Sequence, residues 1–151
     1  MSLSFDPDFF SLLAGSYLRL SGTPLIPAGA LVRDPARWLY EAAPFCVLAH
    51  DIALDPRFIY ANRAAQACFE YSWDELTKLP SRLSAEAPDR RERQHLLDQV
   101  SKHGIASGYS GIRISKTGRR FRIEDGTVWQ LLDETSVLHG QAACFAKWRP
   151  V

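Results

Sequence analysis

Between residues 5 and 20 the apolar side chains fall three or four positions apart. Phe9, Leu12, Leu13, Tyr17 and Leu20 line one side of a predicted helix. Asp6 or Asp8 can cap it, Pro7 suits its first turn, and Gly22 suits its end. Residues 22–33, GTPLIPAGALVR, hold two prolines and two glycines and read as a linker. Asp34-Pro35 then opens a second helix, through Trp38 and Leu39 toward Pro44, which cannot continue it.

At Phe45 the pattern changes. FCVLAHD is a short apolar run with the look of a buried strand, ALDPRF carries turn chemistry at Asp55-Pro56, and FIYAN makes the second arm of a hairpin. RAAQACFEY predicts a short helix, and SWDE is a capping box in which Ser72 and Glu75 cap reciprocally. After PSRLSAEAP, the segment RRERQHLLDQVSKHG is a polar helix with a narrow stripe of Leu96, Leu97 and Val100, stopped by Gly104. The period then becomes two. YSGIRIS and RRFRIED flank a tight KTG turn; Ile112 and Ile114 share a face with Ser110, and Phe121 and Ile123 face away from Arg120 and Arg122. GTVWQLLD prolongs that strand. GQAACFAKW is the last one, with Ala142, Cys144, Ala146 and Trp148 on one side and Ala143, Phe145 and Lys147 on the other.

This order predicts an α+β fold: a five-stranded antiparallel sheet with helices over one face, preceded by a helical extension. Residues 1–33 form the extension and linker, and residues 34–151 the domain proper.

Composition narrows the function. The 151 residues suffice for one core, and 46% hydrophobic with 23% charged residues is ordinary for a globular chain. A net charge of +1 argues against nonspecific binding to DNA or anionic membrane. No apolar run reaches the roughly 20 residues of a membrane span, and MSLSFDPDFF lacks the pattern of a signal peptide. Cys46, Cys68 and Cys144 are odd in number and far apart, so they read as reduced thiols of a cytoplasmic protein.

Two sets of motifs carry a resemblance. FIYANRAAQACFEYSWDEL resembles the PAS stretch in which a strand ends in an Asn, here Asn62, and a box, here Tyr71 to Leu76, opens the next helix. PSRLSAEAP-RRER, GY-GIRIS-GRRF-IE-VW-L-D and GQAA-F--W resemble the MEKHLA domain, a PAS-related family of stand-alone bacterial proteins and of the C-terminus of plant class III homeodomain leucine-zipper factors. The resemblance covers about residues 35 to 149. It implies sensing of a small molecule, redox state or light, and dimerisation, but no particular ligand or reaction. The chain lacks a kinase, cyclase or DNA-binding segment, so output is expected to pass through a separate signalling protein.

Candidate chemistry is weighed against plainer roles. A flavin adduct needs a cysteine after the middle helix, and LTKLPSRLSAE has none. His95, on the long helix, is a candidate haem ligand, although a lone histidine on a polar helix is more often a surface residue. His50, His103 and His139 show no metal spacing; His103 suits a helix C-terminus. Glu124-Asp125 and Asp133-Glu134 are neighbours that point apart in a strand, and are placed beside turns. The basic clusters are neutralised by acids or lie on a solvated face, against nucleic-acid binding. What remains is a cavity between sheet and helices. Tyr60, Tyr109, Ile112, Ile114, Trp129, Leu131 and Trp148 are candidate lining groups, with core packing the plainer reading of each. Arg82 is the favoured polar group, supported by Ser81, Ser84, Arg93 and Gln141; its fork would grip a ligand carboxylate or an internal one such as Glu86.

The expected protein is thus a non-catalytic sensory or interaction module, a homodimer through its leading helix, with a small ligand in its cavity. Two alternatives are a cone-shaped α+β enzyme, which requires a titratable pair in the cavity, and a structural dimerisation domain with a filled core.

Overall fold

The computed structural model describes residues 2–27, 33–85 and 87–151, without the side chains of residues 87–90 and 93. The predicted caps form. Asp6 accepts the Asp8 N–H at 2.9 Å to start α1 (Pro7–Ser21), and Gly22 closes it in the left-handed conformation at φ 75°. Asp34 accepts the Arg37 N–H at the start of α2 (Pro35–Glu41). The antiparallel hairpin follows as β1 (Cys46–His50) and β2 (Phe58–Ala61), then α3 (Arg63–Phe69) and α4 (Trp73–Leu76), the last opened by the full Ser72–Glu75 capping box. A 3-10 turn (Ser81–Ser84) leads to α5 (Ala87–His103). The chain closes with β3 (Ile105–Ile114), β4 (Arg120–Leu132), β5 (Leu138–Phe145) and β6 (Lys147–Pro150).

The sheet runs β2-β1-β5-β4-β3, antiparallel throughout, with β6 also on β4. The single last strand expected from the sequence is two: β5 pairs the second half of β4 and β6 the first, with a break at Ala146. The break reverses the alternation. Trp148 therefore packs edge-on against Phe145, ring centroids 5.6 Å apart, instead of joining Ala142 and Cys144. Glu124 and Asp125 lie inside β4, where Asp125 takes a left-handed φ of 55°, not beside a turn. Asp133 does flank one, accepting the Thr135 and Val137 N–H groups.

Helices cover both faces. On the outer face Val47, Ala49, Tyr60, Trp129, Leu131 and Ala142 bury against α1 and α2. Trp129 is fully buried, and its indole N–H donates to Ser16 Oγ at 3.1 Å. The apolar side of α1, the basis for expecting pairing of two copies through this helix, is packed against the chain's own sheet through Phe9 and Leu13. On the inner face Leu48, Phe58, Phe121, Ile123 and Phe145 meet α3 and α4, while Leu96 and Val100 of α5 meet Val128.

Asn62 ties these layers. Completely buried, its Oδ1 accepts the Val47 and Ala65 N–H groups at 3.0 and 3.1 Å, and its Nδ2 donates to Leu39 and Phe45 carbonyls at 3.0 and 2.9 Å. One amide thus caps α3 and joins α2 to β1. The β3–β4 turn is anchored similarly: Glu70 accepts from Thr117 and Arg119, and Lys116 pairs with Glu75.

Candidate functional site

Between the inner face of β1, β3, β4 and β5 and the turn-plus-α5 layer lies a half-open cavity of about 80 Å³. Its position follows from the sheet. A register shift between Ala49 and His50 in the β1–β2 pairing puts Phe58 and Tyr60, two residues apart, on opposite faces. Phe58 joins the cavity wall with Leu48, Phe69, Leu96, Ile123 and Phe145. The polar lining is His50, Ser84, Tyr109, Arg113, Thr127 and Gln141. The Ser84 hydroxyl donates to the Ser81 carbonyl at 2.7 Å, and a His50 ring nitrogen, Nδ1, lies 2.8 Å from the Asp51 carbonyl oxygen.

Strand β3 supplies the charged corner. Its period of two turns Tyr109, Gly111 and Arg113 inward, and leaves Ile112 and Ile114 half-buried on the other side. Tyr109 lies along its own strand because Gly111 has no side chain; a Cβ there would come within 2.1 Å of the Tyr109 hydroxyl. The Arg113 guanidinium sits 5.2 Å from the centre of the Tyr109 ring. Arg113 is only 7% exposed, yet its side chain has one described hydrogen bond, from Nη1 to the Ile112 carbonyl at 2.8 Å.

Of the residues singled out in the sequence, Ser84, Tyr109 and Gln141 meet at this cavity. Arg82 lies outside it, half-exposed, and its Nε pairs at 3.0 Å with Asp55, a carboxylate of the chain's own. Ser81 is buried in the 3-10 turn, its N–H on the Pro56 carbonyl at 2.7 Å. Glu86 and the Arg93 side chain lie outside the described residues. Tyr60 and Trp129 belong to the outer-face core under α1, as does Leu131. There, burial and then neighbouring Tyr40 push the Tyr60 phenol well above its usual range. The sequence reading missed Arg113, because Ile112 and Ile114 on either side of it were given the lining role; the available signal was its spacing of two from Gly111 and four from Tyr109.

The cavity does not fit a haem or a flavin. About 80 Å³ is far below the roughly 300–1,000 Å³ of sites for drug-sized ligands. His95 is exposed, with its Nε2 3.2 Å from Gln99 Nε2. Cys46 and Cys68 pack in the cluster around Phe121, and Cys144, which also borders the cavity, packs against the outer-face core. Among the described lining residues there is no carboxylate to make an acid–base pair with His50.

An antiparallel sheet in this order, with a cavity between its inner face and a long helix, is the architecture of a PAS domain. Solved structures agree. A PAS domain from Colwellia psychrerythraea superposes with a TM-score of 0.66 over 81% of this chain and 98% of its own, at 15% identity. The light-state dimer of the fungal blue-light photoreceptor Vivid does so at 0.59, over 90% and 93%, at 14% identity. Within that class the chain belongs to the MEKHLA domain family, whose profile matches residues 7–150, α1 included. It is also 26% identical over 111 residues to the homeobox-leucine zipper protein HOX10 of Oryza sativa subsp. indica, a match spanning 74% of this chain and 13% of that protein. Among the described residues no helix is long and apolar enough to cross a membrane.

Proposed function

We propose that this chain is a cytoplasmic sensory module that holds a small ligand between its sheet and α5 and signals by contact with another protein. In this reading residues 1–33 act as a cap and residues 34–151 as the sensing domain. The observation that carries it is the cavity itself: an apolar, half-open space whose few polar groups converge from β1, β3, β4, β5 and the 3-10 turn. Membership of a PAS-related family supports the same reading. In this reading the chain also self-associates, through surfaces other than α1, which packs on its own sheet.

Two measurements on the purified chain test this. Native mass spectrometry should find a co-purified small mass, or a panel of small molecules should raise Tm by mass action. A clean apo mass together with no stabilising ligand refutes the sensing role and favours a domain that only binds partners. Sedimentation velocity tests the dimer, and a single monomer boundary across micromolar concentrations refutes it.

A further inference from the structure

We propose that the cavity is a receptor for a short-chain monocarboxylate, its carboxylate held by Arg113 and its tail by Leu48, Phe69 and Ile123. The proposal rests on the ligand-holding reading above and names the class of ligand.

Arg113 stands apart from the other arginines. Arg37, Arg82, Arg119 and Arg149 each pair with an acid while about half-exposed, where an ion pair contributes little. Arg113 is buried, where a charge most needs a counter-ion, and appears in none of the ion pairs among the described residues. A guanidinium has five N–H donors, and one is accounted for by the Ile112 carbonyl. The group is held in place: Gly111 lets Tyr109 lie flat, and Tyr109 forms the platform beside the guanidinium. A fixed, desolvated fork at the edge of an apolar space suits a planar carboxylate with a hydrocarbon tail.

The volume sets the tail. At about 10–15 Å³ for each water-sized group, about 80 Å³ has room for roughly five to eight heavy atoms. Propionate through hexanoate fall in that range, and longer acids do not.

The test is calorimetry and thermal shift on the full chain with sodium acetate, propionate, butyrate, hexanoate and octanoate. Butyramide and hexanamide serve as neutral isosteres, and sodium chloride matches ionic strength. Affinity should rise about fourfold per methylene, then stop near hexanoate. The amides should bind at least about tenfold more weakly than the acids, as expected when a charge-assisted pair is lost. Arg113→Met should erase the preference for acids while leaving the ligand-free protein at least as stable as the parent, since it removes a buried charge. Arg113→Lys should keep a weakened preference. Amides that bind as well as acids, or chloride that matches butyrate, overturn the proposal while leaving a ligand cavity in place. So does an Arg113→Met protein that is destabilised or unfolded, which would make Arg113 a structural clamp. If neither acids nor amides bind the parent protein, this proposal fails, and the sensing role falls with it only if the broader panel and the native mass are also negative.

Discussion

Asn62 offers the sharpest test of how this fold is held together. Replacing it with Ala strands two N–H groups, of Val47 and Ala65, and two carbonyls, of Leu39 and Phe45, all now served by one buried amide. Each buried polar group left without a partner costs about 1–3 kcal/mol. Simple addition gives roughly 4–12 kcal/mol, comparable with the whole stability of a domain of about 5–15 kcal/mol. Neighbouring groups are not additive, and water or local relaxation recovers part. The expected loss is therefore near the lower end, about 4 kcal/mol, which in a chain of this size lowers Tm by roughly 8–16 °C.

Two further substitutions separate the roles of this side chain. Asn62→Ser keeps an N-cap for α3 but cannot reach the Leu39 and Phe45 carbonyls. Asn62→Asp keeps both acceptor contacts but turns a carboxylate oxygen toward those carbonyls. If capping were the whole role, both variants would remain near wild type. If the bridge from α2 to β1 matters, both should lose most of what Asn62→Ala loses. The charged form of the aspartate is disfavoured in the folded state, so its folded pKa lies above its unfolded value. Its deficit relative to wild type should accordingly be smallest below about pH 4, where the unfolded carboxyl is also protonated, and grow as pH rises through the folded pKa. Urea titrations followed by far-ultraviolet circular dichroism, read at constant m, supply these numbers. An Asn62→Ala variant within about 1 kcal/mol of wild type would refute the reasoning.

Other expectations follow from single contacts. Hydrogen bonds from Thr117, Ser115 and Arg119 hold the Glu70 carboxyl down at about 2, and those from Lys116 and Ser72 hold Glu75 at about 2. Their stabilisation is present above the unfolded value of 4.5 and lost as pH falls toward 2; Glu70→Gln should flatten part of the fall in Tm over that window, and an unchanged profile would show that the turn is not held by this group. Burial pushes the Cys144 thiol up to about 12, and contact with Cys68 and then burial raise that of Cys46. Both should therefore react with iodoacetamide at pH 8 far more slowly in the folded chain than in urea; equal rates, read by peptide mass, would contradict the burial. Ser16→Ala leaves the Trp129 indole N–H without its acceptor, and should cost about 1–3 kcal/mol in urea unfolding. Gly140→Ala would put a Cβ 2.2 Å from the His50 carbonyl oxygen, so the β1–β5 pairing must shift; a loss of about 1–3 kcal/mol is expected, and a neutral result would mean that the strands can separate freely there.

Much of the fold was legible because its signals are local. Asp6, Asp34, Ser72, Gly22 and Gly104 mark helix ends by the hydrogen bonds and conformations that their side chains allow, and each acts where it was expected. Strand faces depend instead on every residue keeping step with its neighbours. The shift at His50 and the break at Ala146 each move a bulky residue, Phe58 or Trp148, to the opposite face from the one that strict alternation assigns. Such irregularities arise from pairing with other strands, so a period counted along one strand cannot show them. Arg82 misled for a related reason: its partner, Asp55, lies 27 positions away, in the β1–β2 loop.

The charged wall of the cavity was hidden by the rule that made the rest readable. Strand β3 carries Ile112 and Ile114 on one side and Tyr109, Gly111 and Arg113 on the other, and hydrophobicity alone turns the isoleucines inward. The structure does the reverse, burying an arginine in the interior and leaving the isoleucines half-covered. A core built only for stability would gain by the opposite choice, since a desolvated charge without a counter-ion, as Arg113 is among the described residues, opposes folding. Where local pattern and burial conflict in this way, the binding role proposed above would account for the conflict. The conflict lies at the wall of the cavity, where Arg113 and Tyr109 of β3 are among the lining residues. The same reasoning makes Gly111 part of the site although it need touch no ligand. Gly111→Ala must displace Tyr109 and with it the seat of Arg113, so it should weaken butyrate binding by more than it lowers Tm. Loss of stability with butyrate affinity intact would return Gly111 to a purely structural role.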